Sequence, residues 1–448
     1  MHQFYPQIQC IKNSYKATGK KMKILFKNVH LQNEYGYGKD SVNVLVNDKT
    51  ISYIGKDLPQ ADRVIDGKGN LLSPAFYNAH CHSAMTLFRG YGDDLPLREW
   101  LDTKILPAEE LLDEDRVYYG SMMGIAEMIK NGIVSFSDMY FFLDSTARAV
   151  GESGIKANIS RSIVSFDEAL DVYSDTRIKE GIDAFKKWHN AYDGRLRVDM
   201  SVHAEYSNVE KCCRYVGEYA KEVGTGIQLH LSETESEHNK CVEKRNMTPT
   251  EFFEKTGIFD VPVTAAHCVW VTDSDIQILK EKGVSVAHNP VSNLKLGSGF
   301  MPYNKMKDAG VNIALGTDGV ASNNKLSVLR EMQYAALIHK GNTLDAAATN
   351  ASDIIRCATV NGAVSQGRYD CGRVQVGYRA DLILVNMNSV NNMPVFDYDS
   401  ALVYSTCESD ILLTMCDGRI LYENGEYTLI DIEKLKAEAS SVFANYFN

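Results

Sequence analysis

The 448-residue chain has no apolar stretch long enough to cross a bilayer, and its ten cysteines form no Cys-x-x-Cys pair. A membrane helix needs about 20 consecutive apolar residues. The neighbouring Cys212 and Cys213 suit free thiols in a reducing compartment better than a disulfide framework. These absences predict a cytoplasmic protein that does not act at a membrane.

Positive charge is also scarce, because 47 lysines and arginines face 58 aspartates and glutamates and give a formal net charge of −11. A nucleic-acid-binding protein would be expected to carry a basic surface, so this partner class is excluded. A small anionic or zwitterionic substrate is not excluded, because a pocket can differ from the average surface. Residues 1–21 are polar and basic and lack the apolar core of a secretory signal. They are predicted to form a flexible N-terminal extension.

Short segments rich in β-branched and aromatic residues occur near both ends of the chain. They lie at 23–29, 41–46 and 50–55, and they return at 379–385 and 411–422, where Asp417-Gly418 has the signature of a hairpin turn. Neither block is long enough for a core of its own. We therefore predict one composite β-sandwich domain built from residues 22–72 plus 372–428, followed by a C-terminal helix in 429–448.

The middle of the chain alternates strand-like apolar runs with helix-patterned segments. The helix pattern is clear in Glu210–Val223, Asp273–Lys282 and Leu326–His339. The strand-like runs lie at 71–76, 133–138, 155–160, 196–203, 226–231, 262–267, 284–288 and 311–318. Eight βα units predict the α/β class, with a (β/α)8 TIM-like barrel over residues 73–371.

Polar side chains close most of these runs. They are His80, His82, His203, His230, His267, His288 and Asp318, in a chain with 11 histidines altogether. Side chains two apart on a strand point the same way, and the carboxyl ends of barrel strands open onto one face. The residues should therefore converge on a metal. Imidazoles with one carboxylate suit zinc or ferrous iron, and such a site keeps a place for a water of lowered pKa.

Glu233 follows His230 by three residues in His-Leu-Ser-Glu, beyond the predicted strand end. This spacing places it beside a metal at His230 and favours a role in moving protons. A separate class of zinc deaminases combines His-x-Glu with Pro-Cys-x-x-Cys. His203-Ala-Glu205 matches the first half of that signature, but the chain contains no Pro-Cys pair, so this class is excluded.

Five segments together resemble the amidohydrolase superfamily. Within it they are most similar to the branch of 5'-methylthioadenosine/S-adenosylhomocysteine deaminases, which is related to the triazine chlorohydrolases. The segments are Asn78–Gly90, Asp94–Leu101, Ala266–Val269, His288–Gly297 and Gly316–Asn324. They extend through the whole predicted barrel.

The resemblance implies hydrolytic deamination of an adenine nucleoside by one divalent metal, zinc or alternatively ferrous iron. The implied ligands are His80, His82, His230 and Asp318. Hydroxide would add to C6 of the ring while Glu233 protonates N1, and ammonia would leave. Asp318 would also accept a proton from the water, and the histidine at 267 would contact the water or the departing group. The two-metal members of the superfamily need a lysine at strand 4, where this chain has histidine.

The resemblance also implies how the nucleoside is held. Trp100 would pack near the base, Glu109 would bind the ribose hydroxyls, and His203 would contact the ribose or the base. Arg161 and Arg177 match positions that hold the amino-acid carboxylate of S-adenosylhomocysteine. The expected partner is thus a small purine nucleoside, with a homo-oligomer as a possible assembly.

The chain departs from the family pattern at two places. Strand 4 has Glu205 where the family has proline, and Pro74 is followed by Ala75 rather than glycine. The added carboxylate would either reshape the ribose end of the pocket or point outward. Adenosine or 5'-deoxyadenosine deaminase, guanine deaminase and triazine chlorohydrolase stay open as alternatives, because these enzymes differ in their loops. A non-catalytic assembly protein is not expected, because the ligands and both proton-transfer candidates are present.

Overall fold

The computed structural model describes residues 22–36, 38–444 and 446. The extension predicted over 1–21 lies outside the described residues. The first sheet is built from the amino-terminal block and has the strand order β3-β2-β1-β4, with β1 and β4 parallel and the other pairs antiparallel. Its strands are β1 (Lys23–Val29), β2 (Val42–Asn47), β3 (Thr50–Gly55) and β4 (Arg63–Asp66).

The middle of the chain forms two parallel sheets after β5 (Leu71–Pro74). One has the order β6-β7-β8-β9 and the other β10-β11-β12-β13-β14. The strands are β6 (Phe76–Cys81), β7 (Ile133–Tyr140), β8 (Lys156–Arg161), β9 (Leu196–Val198), β10 (Met200–Ser201), β11 (Ile227–Leu231), β12 (Val263–His267), β13 (Ser285–His288) and β14 (Asn312–Leu315). The fold is therefore mixed α/β with parallel sheets.

The two parallel sheets meet on both flanks, through hydrogen bonds between the β14 end and β6 on one flank and through the direct passage of the chain from β9 to β10 on the other. The amides of Thr317 and Asp318, just beyond β14, donate to the carbonyl of His80 in β6 at 3.1 and 3.0 Å. On the other flank the amide of Asp199, between β9 and β10, donates to the carbonyl of Ile159 in β8 at 3.0 Å. The run predicted as strand 4 is thus two short strands, broken at Asp199.

The C-terminal block completes a mostly antiparallel region with the amino-terminal block. Strands β15 (Leu382–Val385), β16 (Ile411–Cys416), β17 (Arg419–Glu423) and β18 (Glu426–Tyr427) form a sheet in the order β18-β17-β16-β15-β5. Apolar side chains from both chain ends, such as Phe26, Val44 and Leu413, pack in one cluster. The predicted hairpin turn is confirmed, with Asp417 and Gly418 at φ +49° and +71° as a tight turn between β16 and β17 requires.

The apolar run before the two metal-ligand candidates is not one strand. β5 pairs with β15 in the antiparallel sheet, whereas β6 pairs with β7 in a parallel sheet. Ala75 alone separates them, and its amide donates to the carbonyl of Asp381 at 2.9 Å. The sequence pattern could not show this break, because both strands are buried and apolar throughout.

Helices follow the strands and cover the sheets. Glu210–Val223 coincides with its predicted range and ends at Gly224, whose φ of +71° suits a helix terminus. The C-terminal helix predicted in 429–448 spans Ile432–Ala444. The other helices are Leu97–Trp100, Leu106–Glu109, Glu114–Lys130, Leu143–Ser153, Thr176–Trp188, Glu235–Arg245, Pro249–Lys255, Asp273–Glu281, Pro290–Lys295, Tyr303–Ala309, Val320–Asn323, Val328–Thr343, Ala351–Ala358, Val360–Ser365 and Tyr398–Tyr404.

Two features bear on the setting of the protein. Among the helices of the described chain, none has the length and apolar character to span a membrane. The cysteines in the described residues are all free, and all except Cys407 are buried.

A buried ion cluster lies where the mostly antiparallel region meets the parallel strands. Lys156, the first residue of β8, pairs with Asp381 and, at 2.6 Å, with Asp417. Arg379 pairs with Asp417 at 2.6 Å, and the Tyr77 hydroxyl donates to Asp381. Each buried charge thus has a partner of opposite sign.

Candidate metal centre

Five histidines at or just beyond the ends of four strands lie against one another. The ring centroid of His80 is 4.9 Å from that of His82, 4.8 Å from that of His230 and 5.7 Å from that of His267, and the rings of His203 and His230 are 4.7 Å apart. Ligand atoms of His80, His82 and His230 lie within 4.8 Å of one another, as do those of His80, His267 and Asp318. The convergence expected from the sequence is therefore present for these residues.

Backbone carbonyls fix the orientation of two of these rings. Nδ1 of His82 lies 2.7 Å from the carbonyl oxygen of Met139, and Nδ1 of His230 lies 2.8 Å from that of His203. A carbonyl oxygen only accepts, so each Nδ1 carries the proton and donates. In the neutral form of each ring, Nε2 then keeps a lone pair, as a metal ligand requires.

Asp318 completes the cluster from the loop after β14. Its Oδ1 lies 3.2 Å from Nε2 of His82 and 3.6 Å from Nε2 of His80. Its Oδ2 accepts hydrogen bonds from the hydroxyls of Ser292 at 2.6 Å and Ser322 at 2.9 Å. Burial would raise the pKa of Asp318, but the two imidazoles hold this pKa well below its usual range. The carboxylate is therefore ionised.

The donor set fits a divalent cation. Burial lowers the pKa of His80 to about 4, so this ring is neutral near pH 7. Its Nε2 is buried and has no hydrogen-bond partner within the described residues. A buried polar atom without a partner is costly, and a cation between three imidazoles and a carboxylate would satisfy it.

Backbone strain marks two of the strand ends. Asp318 has φ +59° and His267 has φ +73°, which lie in the left-handed backbone region that residues other than glycine rarely adopt. Such strain persists only where the surroundings enforce it, and it clusters at functional sites. The turn at Asp318 lets its carboxylate accept the amide of Gly319 at 2.7 Å.

Glu233 lies at the edge of the cluster, where it pairs with His267. Oε2 of Glu233 is 3.9 Å from Nε2 of His267, whose Nδ1 is 2.8 Å from the side-chain oxygen of Asn293. The hydroxyl of Ser298 donates to Oε1 of Glu233 at 3.2 Å. Burial raises the pKa of Glu233, which makes this carboxyl group hold its proton more tightly than a solvated glutamate does.

A comparison with protein families matches the amidohydrolase family model over residues 71–421. The chain belongs to the amidohydrolase family. It is 46% identical over 387 residues to a 5-methylthioadenosine/S-adenosylhomocysteine deaminase of Acetivibrio thermocellus, covering 86% of this chain and 88% of the relative. It is 43% identical over 397 residues to a 5'-deoxyadenosine deaminase of Methanosarcina acetivorans, and this match covers 88% of this chain and 91% of the relative.

A solved structure is similar over almost the whole amidohydrolase chain. It is the crystal structure of an adenosine deaminase from Xanthomonas campestris with bound zinc, which superposes with a TM-score of 0.88 at 29% identity. The match covers 95% of this chain and 98% of that one. The likeness therefore includes both the parallel sheets and the region built from the chain ends.

The residues expected to hold the nucleoside lie at different distances from the amidohydrolase centre. His203 is within the histidine cluster, and Trp100, the last residue of helix Leu97–Trp100, is buried in the core. Burial raises the pKa of Glu109 to about 7, and this rise is opposed by its interactions with Tyr140, His82 and Arg161.

The two arginines are engaged with acidic neighbours. Nε of Arg161 lies 2.5 Å from Glu180, and its guanidinium is 4.7 Å from the ring centre of Phe141. Arg177 lies in the first turn of its helix, where it is 2.7 Å from Asp175 and partly exposed. A substrate carboxylate would have to compete with these partners for either arginine.

His288 departs from the expected convergence. Its Nε2 lies 3.0 Å from Nε2 of His339, and its ring packs beside Tyr303. It therefore faces the helix Val328–Thr343 and pairs there instead of joining the ligand atoms of His80. The side-chain alternation of a strand fixes two faces but does not tell which face looks toward the centre.

Two further residues near the centre are not predicted from the sequence. Tyr140 ends β7 with its hydroxyl buried, and its ring centre is 6.2 Å from that of His82. β7 runs two residues beyond the predicted end at 138, so the predicted strand does not include Tyr140. Glu237 is buried and accepts the backbone amides of Ser232 and Glu233 at 3.1 and 2.9 Å. In the sequence it reads as one of several solvated glutamates.

Proposed function

We propose that this amidohydrolase is a metal-dependent deaminase of adenine nucleosides, with 5'-methylthioadenosine and S-adenosylhomocysteine as its substrates. The observation that carries the proposal is the Glu233–His267 pair beside three imidazoles and Asp318. The 46% identity to a deaminase named for these two nucleosides supports the choice of substrates.

His80, His82, His230 and Asp318 would hold the metal, and zinc is our choice. Tetrahedral sites of histidine and carboxylate ligands are typical of zinc, and the similar adenosine deaminase structure contains zinc. When bound, the ion supplies Lewis acidity that makes a water molecule nucleophilic near neutral pH.

The protein's own residues would manage the protons. Asp318, held ionised, would accept a proton from the attacking water. Glu233, whose raised pKa favours the protonated form, would deliver a proton to N1 of the purine and so make C6 electrophilic. His267, oriented by Asn293, would hydrogen-bond to the water or to the departing ammonia.

The nucleoside would extend from this pair toward helix Leu106–Glu109. We infer that His203 contacts the ribose or base, that Glu109 binds the ribose hydroxyls, and that Trp100 borders the base. Arg161 lies near Glu109, since its charge acts on the pKa of that residue, and would receive the substrate's carboxylate. Arg177 would contribute to the same carboxylate after leaving Asp175.

A second candidate substrate is 5'-deoxyadenosine. The 43% identity to a 5'-deoxyadenosine deaminase favours it, and both substrates would use the same proton-transfer residues. The two candidates differ at the 5' end, where only S-adenosylhomocysteine carries a carboxylate for the arginines.

We further infer that the two parallel sheets are halves of one closed (β/α)8 barrel over 73–371. The hydrogen bonds from Thr317 and Asp318 to His80 on one flank, and the direct passage of the chain from β9 to β10 at Asp199 on the other, support closure. The two remaining sheets would form the β sandwich of 22–72 plus 372–428, because side chains of both sheets fill one apolar cluster.

An ultraviolet assay of adenine-to-hypoxanthine conversion tests the function. The panel contains 5'-methylthioadenosine, S-adenosylhomocysteine, 5'-deoxyadenosine, adenosine and guanine, with metal-loaded protein. We expect the highest kcat/KM for the first two compounds. Turnover of guanine alone, or of none of the panel by protein that holds one metal per chain, would refute the proposal. Preference for 5'-deoxyadenosine would select the second candidate.

A further inference from the structure

Glu205, the residue that departs from the family pattern, neither points outward nor enters the histidine cluster. Its side chain is 3% exposed and lies 3.3 Å from Nε of Arg245. Nη2 of Arg245 also donates to the carbonyl oxygens of Glu205 and Asn208, at 3.4 and 3.5 Å. The guanidinium lies 4.1 Å from the ring centre of Phe252. One side chain thus ties together the whole turn from Glu205 to Asn208.

This turn controls two histidines of the site. The Ser207 hydroxyl is 3.0 Å from Nδ1 of His203, and it accepts the amide of Ala204 at 3.1 Å. The carbonyl oxygen of His203 accepts from both the backbone amide and Nδ1 of His230, at 2.9 and 2.8 Å. A shift of the turn would therefore turn the imidazole of His203 and also loosen the partner that orients His230.

The helix that carries Arg245 also contacts the site at its other end. Arg245 is the last residue of helix Glu235–Arg245, and Glu237 lies in its first turn. Glu237 accepts the amides of Ser232 and Glu233. The helix is thus a rigid spacer between the loop of Glu233 and the turn after His203.

We propose that the Glu205–Arg245 pair is a positioning device that fixes the turn 203–208, and with it the imidazole of His203 and the metal ligand His230. The pair is suited to this task because a planar guanidinium can bind a carboxylate and two carbonyls at once. The proposed effect on His230 and metal binding needs only the residues described above. The proposed effect on substrate binding through His203 rests on the proposed function.

The first test measures metal affinity and needs no substrate. Glu205→Ala removes the carboxylate that holds Arg245, and the apparent Kd for Zn²⁺ in a chelator competition is expected to rise about tenfold, at the low end of the range for outer partners of a ligand. The matched control is Arg214→Ala, which breaks an exposed pair with Glu210 on a nearby helix and should leave the Kd within about twofold. A Glu205→Ala variant that is less stable but binds Zn²⁺ as the control does would overturn the proposal.

The second test asks whether the pair acts through His203. Glu205→Ala should raise KM for the best nucleoside about tenfold in the natural background and by less than about twofold in a His203→Ala background, because coupled residues are not additive. Equal effects in both backgrounds would contradict the proposal. If no nucleoside is turned over, the proposed function fails while the Zn²⁺ competition still decides this inference.

A conservative variant covers the case in which Glu205→Ala does not fold. Arg245→Lys keeps the charge but loses the fork that reaches two carbonyls. We expect it to weaken Zn²⁺ binding and raise KM in the same direction as Glu205→Ala, whereas unchanged values for both would count against a positioning role.

Discussion

The protein contains two buried polar clusters that differ in how well their groups are satisfied. At the carboxyl ends of the parallel strands, His80 keeps an unpartnered Nε2 beside the ionised Asp318. At the start of β8, by contrast, Lys156 has Asp381 and Asp417 as direct partners. A site that is to bind something keeps its donors unsatisfied, and a site that only holds the fold together pairs them. Predictions for the two clusters should therefore separate activity from stability.

The largest expected effect is on activity at the histidine cluster. Glu233→Gln removes the proton donor, and kcat should fall by about 10²- to 10⁴-fold. The metal content should stay at that of the natural protein, because Glu233 is not among the proposed ligands. Steady-state kinetics and elemental analysis check this result. Glu235→Gln, at the exposed start of the helix that follows Glu233, is the control and should retain activity. Normal turnover by Glu233→Gln would remove its proton role.

The reverse pattern is expected at the ion cluster. Lys156→Met leaves Asp381 and Asp417 buried without their shared cation, and the free energy of unfolding should fall by about 3–5 kcal/mol. Metal content and kcat of the folded fraction should be unchanged, which denaturant unfolding and kinetics at low temperature would show. Loss of metal at full stability would mean that the two clusters are not independent.

Metal removal should sharpen the contrast. A ligand that binds only the folded state stabilises it by about 2.7 kcal/mol at 100 times its Kd. Chelation should therefore lower the unfolding temperature of the natural protein and of Lys156→Met alike, but should hardly affect His230→Ala, which lacks a proposed ligand. Thermal scans with and without Zn²⁺ make this comparison, and an equal shift in His230→Ala would argue against His230 as a ligand.

Acid should weaken the ion cluster in a predictable direction. Burial raises the pKa of Asp417, but Lys156 and Arg379 outweigh this and hold it well below its usual range. A group whose pKa is lower in the folded state contributes stability above its unfolded pKa of about 4, and this contribution is lost as the pH falls. The unfolding free energy should drop by up to about 1.4 kcal/mol per pH unit below that point. Asp417→Asn should show a shallower slope, and an unchanged slope would contradict the assignment.

The smallest effect concerns the arginines that are proposed to bind the substrate carboxylate. Arg177→Ala should reduce kcat/KM for S-adenosylhomocysteine by about tenfold, roughly the worth of one charge-assisted hydrogen bond, and leave 5'-methylthioadenosine within about twofold. The thioether substrate has no carboxylate and thus serves as the internal control. Equal losses for the two substrates would remove the carboxylate role.

The sequence predicts the histidine cluster better than it predicts what surrounds it. His80, His230 and Asp318 could be placed because apolar runs mark strand ends, and parallel strands bring those ends together. The facing of His288 toward His339 and the burial of Glu237 depend on how helices settle on the sheets, which no local pattern encodes. Likewise, the break at Ala75 arises because the two halves of one apolar run pair in two different sheets. The partner of Glu205 lies 40 residues away and emerges only when the helix is in place.

The break at Ala75 has a consequence for the order in which the protein is made. Leu71 of β5 pairs with Val385 of β15, so the strand directly before the metal-ligand strand waits for a partner more than 300 residues further along the chain. During synthesis the histidines of β6 therefore emerge early, whereas the sheet that contains the preceding strand β5 is completed only near the end of translation. Contacts this distant in sequence slow folding, and the unpaired edge is open to wrong pairings meanwhile. A ribosome stalled before residue 382 would carry all the proposed metal ligands on parallel sheets whose strands are all synthesised, while the neighbouring strand β5 still lacks its partner.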